Sequence, residues 1–179
     1  MFKPLKKRND NFAKRDFFAV KKTKQKCYAI VGGKIEGVNC FIVDNSIEKL
    51  PTPNQVFFFL TQKNKPSSFF IDEIAKKEEV IECVMIVSKL SQRFASELTA
   101  KYSIKFGVSN SLSESPVFNP EYMKHIPNNH SKMTIVRTDQ NYYSIEGSGN
   151  PSINARREFY LFSNNKQVYN SIKAIYDNA

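Results

Sequence analysis

Val56-Phe57-Phe58-Phe59-Leu60 is a continuous apolar run, the pattern of a strand buried on both faces. Pro66-Ser67-Ser68 then offers a helix start, with Phe69, Ile71, Ile74 and Ala75 following and Lys76-Lys77 marking the end. Ile81-Glu82-Cys83-Val84-Met85-Ile86-Val87 is a second strand of the buried type. Ser91 is placed to cap a helix carrying Phe94, Ala95, Leu98 and Tyr102, and Ser103 to Val108 alternates like a strand. Strand, helix, strand, helix, strand predicts an α/β fold, a mixed β-sheet with helical crossovers.

Working outward, Tyr28-Ala29-Ile30-Val31 and Cys40-Phe41-Ile42-Val43 flank a glycine-bearing stretch, Gly32 to Gly37, as in a hairpin. Pro51 and Pro53 break the chain after it. Downstream, residues 109–129 carry Pro116, Pro120 and Pro127 among many Ser and Asn, and read as one long loop. Strands follow at about 131–138, 142–150 and 158–162, and a last helix at about 165–177. The organisation expected is a basic, flexible arm over 1–26, a β-hairpin over 27–50 and a single α/β domain over 51–179.

Hydrophobic residues make up 41% of the 179 and aromatics 13%, enough for a core, so wholesale disorder is excluded. No apolar run reaches the ~18 residues of a membrane span, and no hydrophobic segment follows the basic opening as in a signal peptide. Cys27, Cys40 and Cys83 are odd in number and widely spaced, so they read as reduced thiols in a cytoplasmic protein. With His125 and His130 they have no metal-ligand spacing. No metal and no cofactor is expected.

The net charge of +10 is uneven. Residues 1–26 hold ten cations (Lys3, Lys6, Lys7, Arg8, Lys14, Arg15, Lys21, Lys22, Lys24 and Lys26) against Asp10 and Asp16, a net +8. The remaining 153 residues carry only +2. Such an arm suits a polyanion, nucleic acid above all; a merely solubilising tail has the same composition.

The chemistry-bearing residues lie at 130–158. His130 and Lys132 stand at i and i+2, as do Ser148 and Asn150, so each pair shares a strand face. A three-residue loop, Asp139-Gln140-Asn141, would pair Thr138 with Tyr142, and then Lys132 with Ser148 and His130 with Asn150. A two- or four-residue loop would instead bring Gly147 and Gly149 beside His130 and Lys132. An imidazole, an ammonium, a hydroxyl and an amide together suit a tetrahedral phosphate, and Glu158 on the next strand could orient the imidazole. His125, in the loop and of the wrong parity, is a weaker candidate. One of Tyr142 and Tyr143 must face inward, leaving the other to stack on a base.

His130-x-Lys132, then Gly147-Ser148-x-Asn150 and Glu158, resembles the phospholipase D superfamily motif, and the order of elements over about 54–179 resembles its fold. The resemblance implies a phospholipase D-like mixed sheet flanked by helices and a metal-independent, two-step phosphodiester reaction. His130 would attack phosphorus; Lys132, Ser148 and Asn150 would hold the phosphate; Glu158 would orient the histidine. Arg137 stands where the motif carries an Asp, and the spacer before Gly147 is longer. The family site uses two copies of the motif and this chain has one, so a homodimer is implied.

Two classes of function follow. One is a phosphodiesterase, a nuclease by virtue of the basic arm, acting on nucleic acid with DNA preferred over RNA and without a membrane. The other is a non-catalytic structural or DNA-binding protein on the same fold. Abundant Lys, Asn and Phe suggest AT-rich coding, hence a phage or mobile element, where host cytoplasm or virion is the setting and a virion component a possible partner.

Overall fold

A computed structural model describes residues 26–31, 34–43, 46–61, 65–109, 121–149 and 157–179. Asn150 and the arm cations from Lys3 to Lys24 lie outside the described residues. Three elements centre on the apolar runs: β3 (Gln55–Thr61), α1 (Ser67–Ala75) and β4 (Val80–Val87). Before them come β1 (Lys26–Val31) and β2 (Lys34–Val43). After them come α2 (Gln92–Thr99), β5 (Ile104–Val108), β6 (Met123–His125), β7 (Met133–Thr138), β8 (Tyr142–Gly147), β9 (Phe159–Asn164) and α3 (Lys166–Asp177).

All nine strands form one sheet in the order β1-β2-β3-β9-β8-β7-β4-β5-β6. The α/β expectation of a mixed sheet flanked by helices in one domain holds, and the arrangement is consistent with a phospholipase D-like fold. β4, β5 and β6 run parallel, with α2 the crossover from β4 to β5, while β7, β8 and β9 form an antiparallel meander inserted between β4 and β3. β1 and β2 pair antiparallel, and β2 continues in parallel beside β3.

The main core lies on the face covered by α1 and α2. There Phe57, Phe59, Phe70, Cys83, Met85, Val136, Tyr143, Ile145, Tyr160 and Phe162 interdigitate. Full burial pushes the Cys83 thiol far up, which keeps it protonated and inert. Ser91 caps α2 by accepting the Phe94 N–H at 3.4 Å. On the opposite face, Tyr169, Ile172 and Tyr176 of α3 pack on Val84, Ile86 and Ile135.

Two expectations are corrected. The 109–129 segment is not a loop throughout, because Met123–His125 adds β6 to the sheet edge beside β5. Neither is β3 buried on both sides. Phe57 and Phe59 are buried, but Val56, Phe58 and Leu60 are half-buried. α3 covers β7, β8 and β4, and leaves open the part of that face carrying Phe159 (45% exposed) and Leu161 (40%).

Glu146 lies beside that open part, opposite Leu161 in the β8–β9 register. Burial raises its carboxyl above the usual range. A raised carboxylate pKa favours the folded state at low pH, and that stability is lost as pH rises from the unfolded value through the folded one. Glu146→Gln is therefore expected to raise the Tm at about pH 7 and to leave it unchanged at about pH 4. Thermal melts at the two pH values check this, and an equal effect at both contradicts it.

Candidate active site

The register of β7 against β8 is set by one hydroxyl. Thr138 Oγ1 accepts from the N–H groups of Gln140 (3.2 Å) and Asn141 (2.8 Å) and donates to the Glu78 carboxylate (2.7 Å). The Thr138 N–H donates to the Asn141 carbonyl at 3.0 Å. Thr138 thus faces Asn141 rather than Tyr142, and Arg137 pairs with Tyr142. Glu78 also accepts from the Asn141 amide and the Tyr143 hydroxyl, which locks this tip. The three-residue loop expected from the sequence is replaced by an even one, and the register shifts by one residue.

The consequence reaches the other end of the hairpin. Met133 pairs with Glu146, and the Gly147 N–H donates to the Lys132 carbonyl at 3.3 Å. Lys132 therefore stands opposite Gly147, not Ser148. Alternation from Val136 and Thr134 puts Lys132 on the face covered by α1 and α2. Gly147 on β8 and Glu158, ahead of Tyr160 on β9, lie on that same face.

Strict alternation would send Ser148 to the other side. Instead β8 ends at Gly147 and Ser148 is a bend residue. Its N–H donates to the Phe159 carbonyl at 3.1 Å, and its hydroxyl donates to the Glu158 carboxylate and accepts from the Phe159 N–H at 3.2 Å. The bend restores the proximity that the register shift would have broken.

Glu158 is nearly buried and held from behind. Thr61, fully buried at the end of β3, donates its hydroxyl to the Glu158 carbonyl (3.1 Å) and accepts the Glu158 N–H (2.9 Å). The Thr61 N–H donates to the same carbonyl at 2.9 Å. Tyr160 forms the floor. Its hydroxyl donates to the Lys65 carbonyl at 2.6 Å, and its ring lies so close under Gly147 and Gly149 that no Cβ fits above it.

His130 is exposed, at the end of a shaped turn. Asn128 has φ 56°, and the Asn129 side-chain oxygen accepts from the Ser131 N–H (3.1 Å) and hydroxyl. The Asn129 Nδ2 is buried without a hydrogen-bond partner, a donor beside the histidine. The structure thus gathers Lys132, Gly147, Ser148, Gly149 and Glu158 at one end of β7, β8 and β9, with His130 two residues beyond Lys132.

Other candidates fall elsewhere. His125 is exposed at the end of edge strand β6. Arg137 lies 3.6 Å from Glu82 on the α3 side. Tyr143 is buried, while Tyr142 is half-buried with Tyr169 against its ring and the Lys166 ammonium 5.0 Å from its centroid. Among the described residues no cluster of three His, Cys, Asp or Glu is placed to hold a metal ion, and no helix is long and apolar enough to cross a membrane. Thr61, Tyr160 and Asn129 carried no sequence signal; each acts through contacts that only the folded sheet creates.

No family model and no curated protein matches the chain. Among solved structures, it is similar to a mutant of yeast tyrosyl-DNA phosphodiesterase 1, at 13% identity and a TM-score of 0.38. The likeness covers 60% of this chain and 31% of that one, so the chain spans under a third of that protein's length.

Proposed function

We propose that this chain is a metal-independent phosphodiesterase, a nuclease working through a phosphohistidine in a homodimeric site. The observation that carries the reading is the Ser148–Glu158 hydrogen bond at the glycine-lined end of the hairpin, beside Lys132. It couples a buried carboxylate to a hydroxyl one residue from Gly147, which stands opposite Lys132.

In the first step His130 attacks phosphorus. A P–N bond forms, the P–O bond to the leaving group breaks, and the partner subunit's His130 protonates the departing oxygen. In the second step that imidazole deprotonates water, a new P–O bond forms and the P–N bond breaks. Lys132 neutralises phosphate charge, Asn150 donates to a phosphate oxygen, and the Ser148 hydroxyl, which donates to the Glu158 carboxylate and accepts the Phe159 N–H, would turn its proton from Glu158 to the phosphate when substrate binds. The glycines let the phosphate approach the backbone.

The deciding experiment is cleavage of single- and double-stranded DNA in EDTA, with the acid-labile phosphoenzyme trapped and mapped. Cleavage in EDTA with phosphate on His130 supports the reading. Activity abolished by EDTA, or an active monomer, overturns it, and failure to cleave any nucleic acid favours a non-catalytic DNA-binding role.

The arm of residues 1–26 supplies affinity rather than chemistry. If about 6–8 of its cations touch phosphates, the log–log salt slope of binding is about −5 to −7. Deleting residues 1–25 is expected to flatten that slope, measured by fluorescence anisotropy on a labelled oligonucleotide. An unchanged slope removes the arm from the binding surface.

A further inference from the structure

We infer that Phe17-Phe18-Ala19-Val20, an apolar stretch within the basic arm and outside the described residues, docks on the uncovered face of β3 and β9 and so fixes the arm's cations beside the catalytic end of the sheet. The docking stands on its own. What the fixed cations then do, contacting a nucleic-acid backbone, rests on the nuclease reading.

The uncovered face is a contiguous apolar patch. Across the β3–β9 pair, Phe58 stands opposite Leu161 and Leu60 opposite Phe159. The Phe58 and Phe159 rings stack with centroids 6.0 Å apart. With Val56, these side chains line the part of the face beyond the strands that α3 packs against, and Phe159 and Leu161 are its most exposed members. A joined patch of this kind, unlike a lone exposed side chain, marks an interaction surface. Phe41 is exposed as well, but it packs against Phe57 and Phe59 on the opposite face and adds nothing to the patch.

Chain direction, length and charge single out the arm as the occupant. Lys26, the first residue of β1, pairs with Asn39, which pairs with Phe57. β1 is antiparallel to β2, so the chain ahead of Lys26 heads toward the level of Phe58 and Leu60. β3 and β9 lie two and three strands from β1, about 10 and 14 Å at ordinary sheet spacing. The chain from Val20 to Lys26 can span about 20 Å, so the stretch reaches either strand. Docking removes apolar surface from water on both partners. Glu146 borders the patch opposite Leu161, and the stretch is flanked by Lys14 and Arg15 on one side and Lys21 and Lys22 on the other. A cation beside Glu146 offsets the hydration its carboxylate loses under cover. Twofold pairing of the patch with a second copy would instead cover two Glu146 carboxylates together. Phe159 follows Glu158 and its carbonyl accepts the Ser148 N–H, so the docked arm delivers Lys21 and Lys22 to the rim of the site.

The test is thiol labelling of the full chain carrying Leu161→Cys, by iodoacetamide without nucleic acid, followed by peptide mass spectrometry. A face covered about nine-tenths of the time labels about tenfold more slowly than an open one. Labelling at position 161 is therefore expected to quicken about tenfold when Phe17→Ser/Phe18→Ser is added. Equal rates overturn the docking. So does slow labelling that survives the arm substitutions and quickens on dilution, which would give the face to a second copy. If Leu161→Cys fails to fold by circular dichroism, Phe159→Cys provides the same readout at the other exposed position of the patch. DNA cleavage in EDTA is followed separately. Its absence alongside slow, arm-dependent labelling would sink the nuclease reading and leave the docking standing; cleavage alongside equal rates would do the reverse.

Discussion

His130→Ala is expected to abolish EDTA-resistant DNA cleavage, a fall of about ten-thousand-fold or more, the scale seen when an enzyme loses its nucleophile. Alanine leaves no atom able to form the P–N bond, and in a twofold site it also removes the acid that protonates the leaving oxygen. Both half-reactions stop with one substitution. Because His130 is exposed at the end of a turn, the change deletes no packing, and the Tm is expected to stay within about 2 °C. Lys132→Ala should be milder, about a hundred- to thousand-fold, since the nucleophile and the Asn150 amide would remain. The comparison uses labelled single- and double-stranded DNA with matched thermal melts. Cleavage by His130→Ala at even a tenth of the wild-type rate would end the phosphohistidine mechanism.

The fold was legible where local pattern and tertiary role agree. The Val56–Leu60 and Ile81–Val87 runs become strands, Pro66-Ser67 opens α1 and Ser91 caps α2, though neither run is buried along its whole length. What could not be read depends on distant partners. Met123-Lys124-His125 is too short to show alternation, and becomes a strand because β5 offers an open edge. The one-sided exposure of β3 follows from where α3 lands, which nothing within Val56–Leu60 encodes.

The site shows the same division. The residue types of the His-x-Lys and Gly-Ser-x-Asn pairs were visible, and so was the dependence on loop parity. The parity itself was settled by Thr138, whose hydroxyl closes the turn with help from Glu78, sixty residues away in sequence. The resulting slip by one residue would have turned Ser148 away, and the bend after Gly147 reverses that. Glu158 was expected to orient a histidine; its carboxylate accepts the Ser148 hydroxyl, and Thr61 fixes its backbone.

The two glycines around Ser148 make the last prediction. A Cβ on Gly147 would sit 2.2 Å from the Phe159 carbonyl oxygen and 2.6 Å from the Tyr160 ring. The oxygen is backbone and already accepts the Ser148 N–H, so it cannot yield without opening the β8–β9 ladder. Gly147→Ala is expected to cost about 2–3 kcal/mol, a Tm drop of about 5–10 °C. It also carries Ser148 away from Glu158, so activity falls at temperatures where the variant is still folded. At Gly149 the obstacle is a side chain: a Cβ would meet the Tyr160 hydroxyl at 1.8 Å and Cζ at 2.6 Å. That hydroxyl is fixed by Lys65 and its ring by Phe70, so the strain passes into the start of α1. Tyr160→Phe removes the nearer obstacle and leaves the farther one. Gly149→Ala and Tyr160→Phe together should therefore destabilise by less than the sum of the singles, by about 0.5–1.5 kcal/mol. Strict additivity in urea unfolding would mean that Gly149 does not rest on Tyr160, and would break the physical link between the Gly-Ser-Gly segment and α1.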